Sequence, residues 1–149
     1  MTTGVIHFTL RHGMAEHESG KEQQILDARK PLISIVDDDD ALRSSLENLI
    51  RSVGWRVQGF SSAEAFLRSN KAKETGCLIL DMRMPGMSGL ELQSQIAMTN
   101  SHLPIIFITA HEDYDQKAKA LQAGAVAFLY KPFYQEELLN AIDAALKDS

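Results

Sequence analysis

Leu32-Ile-Ser-Ile-Val-Asp-Asp38 places a pair of acids directly after a short, largely apolar run, and this arrangement recurs along the chain. Short apolar runs bounded by polar residues predict buried strands. The carboxyl ends of parallel strands lie along one edge, where open α/β sheets place their ligand sites. We therefore expect an acid pair, a third acid, a hydroxyl and an ammonium to converge there. The later runs are Leu78-Ile-Leu80 before Asp81, Ile105-Ile-Phe-Ile108 before Thr109, and Phe128-Leu-Tyr130 before Lys131.

From Pro31 onward, longer segments with helical spacing separate these runs, an alternation typical of βαβ units. The second strand, Trp55-Arg-Val-Gln-Gly59, alternates apolar and polar residues as an edge strand does. Placing it outermost with right-handed crossovers predicts an α/β, flavodoxin-like doubly wound (βα)5 fold, whose five-stranded parallel sheet has the order 2-1-3-4-5. We predict strands near 32–36, 55–59, 77–80, 104–108 and 126–130, and helices near 40–53, 62–70, 88–98, 112–122 and 134–147.

Residues suited to helix ends flank the predicted helices. Asp39 or Asp40 can cap the amino end of the first helix, because short polar side chains accept a hydrogen bond from its unpaired N–H groups. Gly54 and Gly124 follow the first and fourth helices, where glycine adopts the left-handed closing conformation most readily.

Length and composition indicate one globular domain. The chain has 149 residues, of which 44% are hydrophobic and 23% charged. We assign the domain to residues 31–149 and expect residues 1–30, polar from Glu16 to Arg29, to form a flexible or poorly ordered N-terminal extension. No apolar run approaches the roughly 18 residues that cross a bilayer, and no secretory signal opens the chain. We expect a cytoplasmic protein without membrane contact.

The charge distribution argues against a nucleic-acid-binding surface. The net charge is −5, and the four basic and four acidic residues of positions 1–30 cancel, so the acidic excess belongs to residues 31–149. An acidic surface repels phosphate backbones. We expect no direct nucleic acid contact by this domain.

Three carboxylates in one crevice require a neutralising partner. Like charges at short range either raise one pKa or recruit a cation. Mg²⁺ suits Asp37, Asp38 and Asp81, because it is commonly held by one or two carboxylates while phosphate oxygens and waters complete its shell. With Lys131 nearby, the cluster can accept a phosphate group, and Asp81 can act as a nucleophile that forms an aspartyl phosphate. Thr109 supplies a hydroxyl to one phosphate oxygen.

Four spaced motifs occur in order from about Pro31 to the end of the chain. Together they resemble the receiver domains of two-component response regulators. Ala63-Glu-Ala-Phe66, Met84-Pro-Gly-Met-Ser-Gly-Leu90 and Ala123-Gly-Ala-Val-Ala-Phe128 resemble receivers of the nitrogen-fixation regulator type. The four motifs are Ile35-Val-Asp-Asp38, Leu80-Asp-Met-Arg-Met-Pro-Gly-Met-Ser-Gly-Leu90, Ile108-Thr-Ala110, and Ala123-Gly-Ala followed by Phe128-Leu-Tyr-Lys-Pro-Phe133.

The resemblance assigns a role to each site residue. It implies that Asp81 accepts the phosphoryl group, that Lys131 binds the phosphate, and that the Lys131-Pro132 peptide is cis. It further implies that Asp38, Asp81 and the main-chain carbonyl of Arg83 hold Mg²⁺, while Asp37 assists through a water or by contacting the ligands. Thr109 is the implied switch hydroxyl, and Phe128 the aromatic ring whose rotamer follows it. Arg83 and His111 each lie two residues beyond a site residue, and we hypothesise that they influence dephosphorylation.

The resemblance also implies partners. A histidine kinase or phosphotransfer protein would donate the phosphoryl group, and the surface of the fourth helix, fifth strand and fifth helix would then change shape. That surface would support a phosphorylation-dependent homodimer or effector binding. Two arrangements stay open: a stand-alone receiver, or a truncated transcriptional regulator whose missing tail contacts DNA.

A second class of function competes with the receiver. In phosphatases related to haloacid dehalogenases, an aspartate nucleophile follows the first strand and another acid lies two residues on. Asp37 and Asp39 satisfy that spacing. This alternative predicts phosphomonoester turnover that depends on Asp37, whereas a receiver is not an enzyme in the turnover sense and carries one slowly lost phosphoryl group.

Overall fold

The computed structural model describes residues 30–100 and 102–148, in which five strands alternate with five helices. Apart from Lys30, the predicted N-terminal extension lies outside the described residues. No helix or strand begins or ends more than two residues from its predicted position. The strands are β1 (Leu32–Val36), β2 (Arg56–Phe60), β3 (Thr75–Asp81), β4 (Ile105–Thr109) and β5 (Ala127–Tyr130), and the helices are α1 (Asp40–Ser52), α2 (Ala63–Ser69), α3 (Gly89–Ala97), α4 (Tyr114–Gln122) and α5 (Gln135–Asp148).

The five strands form one parallel sheet in the order β2-β1-β3-β4-β5, which confirms the predicted fold. Val36 pairs with Leu80, so the residues that follow them, Asp37 and Asp81, emerge side by side at the carboxyl edge. Thr109 pairs with Tyr130 at the end of the sheet, and Lys131 therefore leaves from the same edge. The polar residues that end each run are brought together by strand pairing.

Each face of the sheet packs against its own group of helices. Ile33 and Ile79 belong to the cluster covered by α1 and α5. Leu80 and Phe107 belong to the opposite cluster, covered by α2, α3 and α4. Burying one such side chain contributes about 1.5–3 kcal/mol, so the two clusters stabilise the sheet beneath its carboxyl edge.

The helix ends resolve what the sequence left open. Asp39, rather than Asp40, caps α1, and its side chain accepts a hydrogen bond from the Leu42 N–H. Gly54 and Gly124 adopt positive φ angles of 99° and 105°, as predicted.

β3 begins two residues earlier than predicted, at Thr75. The Thr75 hydroxyl lies 2.7 Å from that of the buried Ser34 on β1 and also donates to the Lys71 carbonyl. A polar residue at the start of an apolar run therefore joins the sheet because its hydroxyl is fully satisfied there.

Among the described residues, none of the helices combines the length and the apolar character that crossing a membrane requires.

Candidate functional site

Three aspartates meet at the carboxyl edge of the sheet. Asp37 and Asp38 follow β1, Asp81 ends β3, and one carboxylate oxygen from each lies within 4.8 Å of the others. Asp37 is fully buried, Asp81 is 6% exposed, and Asp38 is open to solvent. All the ligand atoms are carboxylate oxygens, the donors preferred by hard divalent cations. The predicted acidic cluster is therefore assembled, and its donor set fits Mg²⁺.

Lys131 follows β5, the strand at one edge of the sheet, and its side chain extends to this cluster. Its Nζ lies 3.2 Å from Asp37 Oδ2 and 3.7 Å from Asp81 Oδ2. Its backbone N–H donates to the Thr109 carbonyl at 2.7 Å, and the peptide bond to Pro132 is cis, as expected. The ammonium thus lies between two of the three carboxylates and offsets part of their charge.

Both carboxylate oxygens of Asp37 and its main-chain carbonyl accept hydrogen bonds, which fix its position. Its Oδ1 accepts the Asp39 N–H at 2.9 Å, and its main-chain carbonyl accepts Arg43 Nη1 at 2.7 Å. The other terminal nitrogen of Arg43 pairs with Asp40. The sequence patterns assigned Arg43 no role at the site. Its position six residues after Asp37, on the first turn of a capped helix, is the signal that could have identified this contact.

Burial, together with the neighbouring charge of Asp37, raises the pKa of the Asp81 carboxyl from 3.8 to about 7. Lys131 and the Arg83 backbone N–H oppose this shift. The ionised form of Asp81 is therefore disfavoured until a cation joins the cluster.

The loop after β3 is held by a contact that the sequence did not reveal. Glu64, in the first turn of α2, accepts the Met87 N–H at 2.9 Å, and this hydrogen bond lowers the pKa of its carboxyl. Gly86 has a φ of 76°, and a Cβ there would lie 2.7 Å from Glu64 Oε2. The positive φ favours glycine at this position, and any other residue would also have to displace the Glu64 carboxylate. The motif from Leu80 to Leu90 was visible in the sequence, but the contact of Met87 with Glu64, 23 residues earlier, was not.

Arg83 lies on this loop close to Asp81. Its backbone N–H donates to Asp81 Oδ1 at 3.4 Å. Its guanidinium, half exposed, lies 3.6 Å from Asp113 Oδ2 in front of α4. The sequence predicted the proximity to Asp81 but not the pairing with Asp113.

Thr109 and Phe128 occupy adjacent strands. Thr109 is buried, and its hydroxyl accepts the His111 N–H at 3.2 Å. Phe128 is partly buried between Phe107 and Tyr130, with ring centroids 6.0 and 5.5 Å away. The ammonium of Lys117 on α4 lies over both the Phe128 and Tyr130 rings, a cation–π contact that the sequence did not indicate.

Residues 33–143 match the family described as the response regulator receiver domain. The chain belongs to this receiver family. The receiver is 51% identical over 119 residues to the response regulator protein TodT of Pseudomonas putida strain F1, an alignment that covers 80% of this chain and 52% of TodT.

Solved structures agree with the sequence match. The structure of the response regulator StyR superposes with a TM-score of 0.74 at 48% identity and covers 79% of this receiver and 60% of that chain. The crystal structure of FixJ-N has a TM-score of 0.73 at 36% identity. The match covers 81% of this receiver and 97% of that chain. The receiver spans little more than half the length of the curated relatives it matches, 57% of TmoT and 52% of TodT.

The alternative of a phosphatase related to haloacid dehalogenases is not supported. The family match covers the segment that holds Asp37 and assigns it to a receiver. The second acid of the proposed pair, Asp39, caps α1 and accepts the Leu42 N–H at 3.1 Å, so it is engaged as a helix cap. Only the spacing of Asp37 and Asp39 suggested a phosphatase, and the role of Asp39 as a helix cap accounts for an acid at that position.

Proposed function

We propose that this receiver is a phosphorylation switch in which Asp81 accepts the phosphoryl group. The observation that carries the proposal is the position of the Asp81 carboxylate, beside Asp37 and Asp38 and 3.7 Å from the ammonium of Lys131. A carboxylate flanked by acids and a lysine has a nucleophilic oxygen together with cationic compensation for incoming phosphate.

Asp38, Asp81 and the main-chain carbonyl of Arg83 would hold Mg²⁺, with Asp37 assisting through a water or by contacting the ligands. The mutual proximity of the carboxylate oxygens and the raised pKa of Asp81 support this assignment. Bound there, Mg²⁺ neutralises charge on the carboxylates and on the transferred phosphate oxygens.

Three side chains of the receiver take part in the transfer of the phosphoryl group. One carboxylate oxygen of Asp81 forms a bond to phosphorus while the P–N bond of a donor phosphohistidine breaks, and the electron pair of that bond returns to the imidazole. Lys131 neutralises charge on the phosphate oxygens, and the Thr109 hydroxyl donates to one of them. The donor is a histidine kinase or phosphotransfer protein. An open groove of about 450 Å³ borders the site, lined in part by Leu42, Lys131 and Phe133, and leaves room for the donor to approach.

Phosphorylation acts by shifting a conformational equilibrium. The Thr109 hydroxyl, now bound to the His111 backbone, turns toward the phosphate, and Phe128 moves into the space it leaves. The surface of α4, β5 and α5 changes as a result and forms a homodimer or an effector site. The phosphoryl group moves the equilibrium only as far as it binds the two states differently.

The output is either protein binding by a stand-alone receiver or control of a further segment in a longer transcriptional regulator. The relatives named transcriptional regulatory proteins, FixJ of Azorhizobium caulinodans among them, support the second arrangement. The acidic surface of residues 31–149 gives this domain no direct nucleic acid contact of its own.

Intact mass spectrometry tests the proposal. The protein is incubated with acetyl phosphate and Mg²⁺, with and without a chelator, beside an Asp81→Asn variant. One metal-dependent phosphoryl adduct per chain, absent from the variant, is the expected result. Absence of an adduct under every condition, or an equal adduct on the variant, would overturn the assignment of Asp81.

A further inference from the structure

We infer that Asp113 is a positioning residue that restrains Arg83 and thereby slows the loading of Asp81 by small anionic phosphate donors. This inference rests on the proposed role of Asp81. The guanidinium of Arg83 lies 3.6 Å from Asp113 Oδ2, although the Arg83 backbone N–H donates to the acceptor carboxylate itself. Arg83 is thus anchored at the acceptor by its main chain and held toward α4 by its side chain.

The two oxygens of Asp113 have separate partners. Oδ1 accepts the Gln116 N–H at 3.1 Å and caps α4, whereas Oδ2 faces Arg83. Asparagine caps helices about as well as aspartate, but it carries no charge. An Asp113→Asn substitution therefore removes the ion pair while keeping the cap, which separates the positioning role from a structural one.

Because both side chains are partly exposed, the ion pair between Arg83 and Asp113 is weak enough for a phosphate donor to displace Asp113. The side chains of Arg83 and Asp113 are 50% and 33% exposed. Half-exposed ion pairs change an equilibrium constant by about two- to fivefold. A dianionic donor arriving at Asp81 competes with Asp113 for the same guanidinium, and a planar guanidinium binds phosphate oxygens in pairs. Asp113 therefore reduces the share of Arg83 side chains available to the donor.

Four variants form the test: wild type, Asp113→Asn, Arg83→Ala, and the double variant. The rate of adduct formation is measured by intact mass at low ionic strength over a range of acetyl phosphate concentrations with saturating Mg²⁺. Asp113→Asn should raise the second-order rate constant about two- to fivefold, through a lower half-saturating donor concentration rather than a higher maximal rate. The double variant should match Arg83→Ala, because the effect of Asp113 requires the guanidinium.

The outcomes separate this inference from the proposed function. An unchanged rate in Asp113→Asn, or the same increase in the Arg83→Ala background, overturns the positioning role while the wild-type adduct still supports Asp81 as acceptor. The second pattern would mean that Asp113 acts through its charge alone. A wild type that forms no adduct with Mg²⁺ overturns both. Asp113→Asn should unfold at nearly the same temperature as wild type, since the helix cap is retained and only a partly exposed ion pair is lost.

Discussion

The ammonium of Lys131 lies 3.2 Å from the fully buried carboxylate of Asp37, although 94 residues separate them along the chain. This contact joins the ends of β1 and β5 across two intervening strands. A buried carboxylate that loses its cation keeps the cost of desolvation without the compensating attraction. Lys131 therefore offsets the charge of the acidic cluster, in addition to its proposed role in binding phosphate.

Replacing Lys131 with alanine should lower the free energy of unfolding by about 1–3 kcal/mol at pH 7.5 and strongly slow phosphorylation. Chemical denaturation and adduct formation measure the two effects. Lys147→Ala is the matched control, since its ion pair with Asp143 is exposed on both sides and should contribute less than about 0.5 kcal/mol. Equal destabilisation by the two substitutions would show that Lys131 does not compensate a buried charge.

Asp81→Asn should stabilise the metal-free protein at neutral pH. The pKa of Asp81 is raised to about 7 in the folded state, so between the unfolded value of 3.8 and about 7 the folded state holds a proton that the unfolded state has lost. The contribution of Asp81 to stability therefore falls as pH rises through this window and is least favourable above it. The substitution should add on the order of 2 kcal/mol at pH 8 and almost nothing at pH 3.5.

Thermal unfolding over pH 3.5–8 in chelator checks this prediction. Added Mg²⁺ should raise the unfolding temperature of the wild type at pH 8 more than that of the variant, because the variant lacks one of the proposed carboxylate ligands. A gain in stability that does not depend on pH would contradict the raised pKa as its cause.

Glu64 should order the loop that carries Arg83. Glu64→Ala removes the acceptor of the Met87 N–H, whereas Glu64→Gln keeps an oxygen there. We expect faster hydrogen exchange at the Met87 amide and weaker Mg²⁺ binding in the alanine variant, with the glutamine variant closer to wild type. The pKa of Glu64 is lowered in the fold, so its stabilising contribution is complete above about 4.5 and is lost as pH falls through the folded value. Exchange at the Met87 amide of the alanine variant that is unchanged from wild type would show that Glu64 does not hold the loop.

Beryllofluoride, which mimics a phosphoryl group, should convert the wild-type receiver to a dimer. Thr109→Val preserves the shape of the side chain but lacks the hydroxyl, so the variant should bind beryllofluoride with Mg²⁺ and remain monomeric. Multi-angle light scattering measures the mass. An unchanged wild-type mass would indicate a switch that acts as a monomer. A dimer of the variant would show that the Thr109 hydroxyl is not needed for dimerisation.

Arg83 and His111 should influence the lifetime of the phosphoryl group. Both residues lie beside the proposed phosphorylation site: the Arg83 N–H donates to Asp81, and the His111 N–H donates to Thr109. The decay of the adduct in an Arg83→Ala, His111→Ala double variant should differ from that of wild type by at least about twofold. Superimposable decay curves would refute the role.

The regular part of the fold could be read from local patterns. Apolar runs, helical spacing and glycine after a helix depend on residues close together in sequence, so the strands and helices were predicted within two residues. The predicted third strand started two residues too late, because the burial of Thr75 depends on Ser34, a residue 41 positions away.

The sequence by itself determined which chemistry is present: carboxylates, a hydroxyl and an ammonium, each at the end of an apolar run, in the order typical of receivers. Parallel strand pairing then required them to share an edge. Only the tertiary structure decided which groups touch, as in the contacts of Lys131 with Asp37, Glu64 with Met87, and Arg83 with Asp113. These contacts join side chains from different elements. Their geometry depends on helix packing and strand register, which no local pattern encodes.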